Sequence, residues 1–150
     1  MPIGVFVSGA RNSMFIGEYK HIIDPKKRLA IPVKFRKEIG NRMVLTRGLD
    51  GCLFLFPMKE WEQLAEKLGK LPLGQQDTRA FVRLLLAGAS EVEVDQLGRV
   101  LVPDFLKEYA SLKKTVIIAG LFNKLEIWDE ERWNLYKSQL EKNSDKIAEK

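Results

Sequence analysis

The chain has 150 residues, 45% of them apolar and 30% charged, with one cysteine, one histidine and a formal net charge of +5. Such a composition excludes a disordered chain and a disulfide-stapled one, and no apolar stretch approaches the ~20 residues that a membrane-spanning helix needs. The charge is unevenly placed: Met14 to Gly69 carries eleven Lys/Arg against seven Asp/Glu, whereas Gly88 to Leu140 carries seven against nine.

In chain order, residues 1–13 have apolar character but only one basic residue, Arg11, placed after the apolar part, the wrong order for a secretory signal. They are expected to be an upstream start site or a floppy extension. Phe15 to Ile23 mixes β-branched and aromatic residues and predicts a strand, turned by Asp24-Pro25-Lys26-Lys27 into a short strand over Arg28 to Ile31, a hairpin-like element. Pro32 stands where a helix can begin, since its missing N–H is needed by no partner there, and Gly40 stops that helix after Val33 to Ile39. Met43 to Arg47 and Cys52 to Phe56 predict a strand pair around Gly48-Leu49-Asp50-Gly51. Trp61, Leu64 and Leu68 then recur at i, i+3 and i+7, the mark of a helix with one buried face.

Leu71-Pro72-Leu73-Gly74 breaks the chain, and Asp77 is expected to cap a helix running to about Ala87. The alternating Ser90 to Val94 starts a second series in the same order. Asp95-Gln96-Leu97-Gly98-Arg99 repeats the Asp-x-x-x-Arg of Asp24 and Arg28, and Val100 to Pro103 repeats Leu29 to Pro32. After a one-residue slip Val44 matches Val116, Gly48 Gly120, Leu53 Leu125, Phe56 Trp128, Trp61 Trp133 and Leu68 Leu140. Asp129 is expected to cap the last helix, with Glu130 and Glu131 in its first turn, where the helix dipole favours acids. Beyond Lys142 no periodic face remains, so the tail is expected to fray. A match through whole supersecondary units is a duplication. Each copy is too small to be comfortable alone, so the two should pack on each other in an α+β molecule.

Catalytic chemistry has little to stand on. His21 is the sole histidine and sits in a strand pattern, so no metal cluster or His pair is available and a structural role is expected. Cys52 stands in an apolar run and reads as a buried small hydrophobe. No phosphate-binding glycine loop occurs, and Asp24 and Asp95 each have an Arg at i+4 that makes them poor general acids. The expectation is no catalytic residue, no metal site, no cofactor, no small-molecule substrate and no membrane contact.

The paired turns admit two uses. An Asp opening a tight turn can accept bonds from turn N–H groups and pair with the Arg four residues on, which holds a shape without touching any ligand. Alternatively the Asp orients and the Arg reads: a guanidinium fixed on one side keeps donors for guanine O6 and N7 on the other, while Lys26 and Lys27 contact phosphate. Asp24 to Gly48 holds eight basic residues against Asp24 and Glu38 alone, which suits a polyanion.

Met14-Phe15-Ile16-Gly17-Glu18-Tyr19, the turns Asp24-x-x-x-Arg28 and Asp95-x-x-x-Arg99, the run Asp77 to Leu85 and the run Gly120 to Asp129 together resemble the MraZ family, within the SpoVT/AbrB-like superfamily. The resemblance covers nearly all of Met14 to Leu140. It implies tandem strand-turn-strand-helix units forming a pseudo-twofold swapped-hairpin β-barrel with flanking helices. The expected divisions are an extension over 1–13, repeat 1 over 18–60, a helical linker over 61–88, repeat 2 over 89–132, and a C-terminal helix and polar tail over 133–150. It implies a cytoplasmic, nucleoid-associated regulator of transcription, a homo-oligomeric ring acting on repeated promoter boxes of the division and cell-wall gene cluster. Its partner is double-stranded DNA, its DNA-binding residues are Arg28, Lys26, Lys27 and Arg99, and Asp24 and Asp95 orient the turns. Two features depart from the pattern: the 13-residue leader, and the lack of lysines beside the second turn. A protein-interaction scaffold whose basic face holds an acidic protein is the alternative.

Overall fold

The computed structural model describes residues 14–149, and the extension expected over 1–13 lies outside them. The chain runs β1 (Phe15–Ile22), β2 (Arg28–Ala30), α1 (Val33–Ile39), β3 (Arg42–Arg47), β4 (Leu53–Pro57) and α2 (Met58–Gly69). After α3 (Gln76–Ala87) the order recurs as β5 (Ser90–Glu93), β6 (Arg99–Leu101), α4 (Asp104–Tyr109), β7 (Thr115–Phe122), β8 (Leu125–Asp129) and α5 (Glu130–Lys142), followed by α6 (Ser144–Ala148).

The strands pair across the duplication more than within it. One antiparallel sheet has the order β1-β7-β8-β4-β3-β5, and a two-stranded ribbon joins β2 to β6. Exchanging each strand for its counterpart four places on leaves both orders unchanged, so the two repeats are related by a pseudo-twofold between β4 and β8. No ladder joins β1 to β5 and the large sheet is open. The hairpin expected over residues 15–31 therefore forms only at its tip. Asp24 N donates to Arg28 O at 3.0 Å and Ile23 bridges Leu29, but β1 and β2 then leave for different sheets.

Alternation explains why β4 reads as one apolar run. Leu53 and Leu55 point into a core closed by the ribbon, α1 and α4, while Phe54 and Phe56 point to the other face, under α2 and α3. Trp128, the counterpart of Phe56, stacks on Tyr136 with ring centroids 5.0 Å apart, as Phe56 packs on Trp61 at 5.7 Å. Thr46, fully buried, donates its hydroxyl to Leu85 O at 2.7 Å and ties α3 to the sheet.

Two local expectations are corrected, and a third is met in position alone. Gln75, with no side-chain bond, occupies the N-cap of α3, and Asp77 falls inside its first turn. Asp129 occupies the N-cap of α5, yet its side chain makes no capping bond: buried at 2% exposure, its Oδ1 accepts from Lys113 N at 3.1 Å. Residues 144–148 form α6 where fraying was expected, continuing the register of α5 after one non-helical residue. The one-residue slip between copies falls between Asp104 and Val116, a span one residue longer than its counterpart from Val33 to Val44.

Candidate nucleic-acid interface

The two Asp-x-x-x-Arg turns are built bond for bond alike. In the first, Asp24 Oδ1 accepts from Lys26 N at 2.9 Å and Arg28 N at 2.8 Å, and Oδ2 accepts from Arg28 Nε at 2.8 Å. In the second, Asp95 Oδ1 accepts from Leu97 N and Arg99 N, both at 2.9 Å, and Oδ2 from Arg99 Nε at 3.0 Å. The backbone closes each loop, Lys27 N donating to Asp24 O at 2.9 Å and Gly98 N to Asp95 O at 3.0 Å. The residue in the tightest place takes positive φ in both, 65° at Lys27 and 81° at Gly98.

The ribbon then sets one turn at each of its ends. Arg28 stands opposite Leu101, Leu29 opposite Val100, and Ala30 opposite Arg99. Leu29 and Val100 are buried in the core, so strand alternation puts Arg28, Ala30, Arg99 and Leu101 on the outward face. Val102 N donates to Lys27 O at 2.8 Å and Ile31 N to Gly98 O at 2.9 Å, so each turn is pinned to the strand end of the other repeat. Arg99 Nη1 also lies 3.8 Å from Asp24 Oδ2, joining the four charged residues in one cluster. Arg28, Arg99, Asp24, Asp95, Lys26 and Lys27 are thus all brought to one ribbon, a turn at each end and both arginines on its outward face.

The electrostatics keep this cluster charged. The backbone N–H of Arg28 first, and its guanidinium second to an opposing desolvation, hold the Asp24 carboxyl below its ordinary 3.8. Asp95 is lowered in the same way, led by the N–H of Arg99. A depressed folded-state pKa means that the stabilisation from these bonds is full above 3.8 and is lost as pH falls below it through the folded values. Each guanidinium spends Nε on its carboxylate and keeps outer donors for another acceptor.

Two participants were not legible in the sequence. Asp104 Oδ1 pairs with Lys27 Nζ at 2.5 Å, beside an open hollow of about 440 Å³ between residues 25–27 and 101–104. Arg36, on α1, lies against Gly98. The 71-residue offset was the signal that could have found both, because it brings Val33 onto Asp104 and Lys27 onto Gly98 and so exposes where the copies differ.

Elsewhere the titratable groups are poor reagents. Burial, and then Glu126 and Asp50, push the Cys52 thiol far above its ordinary range, and burial followed by Arg36 holds His21 below 6.5. No group of three or more metal-ligating side chains occurs among the described residues.

A family model described as "MraZ protein, putative antitoxin-like" matches the chain twice, over residues 14–84 and 85–150. A protein of Pelotomaculum thermopropionicum named "Transcriptional regulator MraZ" is 52% identical over 137 residues, covering 91% of this chain and 94% of that one. Proteins of the same name from Carboxydothermus hydrogenoformans and Clostridium acetobutylicum are 51% and 52% identical, each covering 91% of this chain and 96% of its own length.

Proposed function

The chain belongs to the MraZ family, and from that premise we propose that it is a sequence-specific, DNA-binding regulator of transcription whose β2–β6 ribbon enters the major groove. One observation carries this: two guanidiniums, each fixed through Nε to its own carboxylate, share the outward face of a two-stranded ribbon. A ribbon is thin enough for a groove about 12 Å wide, and a fixed Arg there makes the bidentate contact that guanine alone offers. Arg28 reads the base edge, with Lys26 and Lys27 on the phosphates; Arg99 reads or positions beside it. The relatives' name, transcriptional regulator, supports the same assignment.

The finer parts follow from the family resemblance. The targets are repeated boxes before the division and cell-wall gene cluster, the protein acts in the cytoplasm on the nucleoid, and the ribbon and large sheet together are the swapped-hairpin barrel. One ribbon binds weakly, and several on a ring facing several boxes gain avidity through effective concentration. An exposed apolar corner suits such assembly: Ile16 (56% exposed) lies opposite Leu121 (41%), next to Phe122 (56%).

The test is a mobility shift on duplex DNA from upstream of the chain's own gene. Arg28→Ala should lose specific binding by about 1–3 kcal/mol per site, roughly five- to 150-fold, while keeping the parent's melting temperature within a few degrees. Parent-like binding by the variant would refute the assignment.

A further inference from the structure

The two turns offer unequal charge. The first has Lys26 and Lys27 before Arg28, and the second has Leu97 and Gly98 in the equivalent places. Arg36 lies where this deficit occurs. It belongs to repeat 1, but its Nε donates to Ile31 O at 2.8 Å, and Ile31 N in turn donates to Gly98 O at 2.9 Å. A Cβ built on Gly98 would stand 2.5 Å from both Nε and Cζ of Arg36, so the guanidinium rests on the bare α-carbon of the second turn. Glycine at 98 therefore serves twice, accepting a φ of 81° and leaving the space that the arginine fills. Lys107 is the counterpart of Arg36 by the 71-residue offset, and Lys27, which has a side chain of its own, is the counterpart of Gly98. The arrangement is peculiar to the second turn.

Arg36 is half-buried and has no ion pair among the described residues, and its one side-chain hydrogen bond among them uses Nε. Its charge is unspent, and it lowers the affinity of the nearby His21 for a proton. A planar guanidinium with one edge anchored and the rest open suits a phosphate oxygen.

We infer that Arg36 is the phosphate-contacting cation of the second turn, replacing in space the lysines that the second turn lacks in sequence. This rests on the DNA-binding assignment above. Both ends of the ribbon then grip the backbone, each with its own chemistry: lysines from the loop itself at one end, an arginine carried on α1 at the other. Contacts to phosphate set position and salt dependence and carry no base preference.

The experiment measures binding of the full chain to the upstream duplex and to a scrambled duplex of the same composition over a range of salt. Arg36→Gln should weaken both duplexes by the same factor and reduce the slope of log K against log salt by about 0.9 for each copy engaged. Arg36→Lys should restore the slope. Arg36→Met, which keeps the apolar stem, gives the same slope loss and serves where Arg36→Gln does not fold. An unchanged slope in folded Arg36→Gln or Arg36→Met overturns the inference, and if Arg28→Ala still abolishes discrimination the DNA-binding assignment survives it. A parent chain that binds neither duplex overturns both.

Discussion

Lys27 adopts a φ of 65°, a conformation that disfavours any residue with a Cβ by about 1–2 kcal/mol, in the place where the second turn has Gly98. Its ammonium pairs with the exposed Asp104, and such a surface pair contributes little to stability. Lys27→Gly should therefore leave the fold as stable or raise its stability by up to about 1 kcal/mol in denaturant titrations. At the same time it should weaken DNA binding and flatten its salt dependence. A stability loss with unchanged binding would assign Lys27 to the turn alone. Most of this end of the molecule was legible residue by residue, because the Asp and Arg spacing dictates a turn in which carboxylate, N–H groups and guanidinium meet. The partners from the other repeat were not: Asp104 on Lys27 and Arg36 on Gly98 depend on how the copies interlock.

At the scale of elements, β1 meets β7 at an unusually close approach. A Cβ on Gly120 would lie 2.6 Å from the backbone of Phe15 and Ile16, and Gly120 stands opposite Gly17 in the register. Gly120→Ala must push the edge strand away. It should destabilise the chain by about 1–3 kcal/mol, read as a lowered denaturation midpoint, with hydrogen exchange rising first in β1. Equal protection of β1 in parent and variant would contradict it. The match of Gly48 to Gly120 was visible in the sequence, but the reasons were not, and they differ: Cys52 and Phe54 of its own hairpin crowd Gly48, whereas β1 crowds Gly120. The strands and most helices were legible from their alternation and spacing. Asp77 was misjudged in position, the helix starting at Gln76, whereas Asp129 holds the expected N-cap position but gives its side chain to Lys113 N.

The whole molecule is two copies that cannot be cut apart. Within a repeat only β3–β4 and β7–β8 pair; β1–β7, β2–β6, β3–β5 and β4–β8 all cross between copies. Separately produced residues 14–84 and 85–150 should each lack tertiary structure in near-ultraviolet circular dichroism and regain it on mixing. A half that folds alone as a monomer would contradict the interlocked sheet. The duplication itself announced that the copies pack together, yet not that they exchange strands, because a periodic apolar pattern fixes which face is buried and leaves the partner open. That exchange is what sets the two arginines on one face of the ribbon. A structure of the full chain on duplex DNA from upstream of its gene tests the central claim most directly. It should place the β2–β6 ribbon in the major groove, the outer donors of Arg28 on a guanine edge and Asp24 still on its Nε; both guanidiniums enclosed between protein copies, away from any nucleotide, would contradict the account.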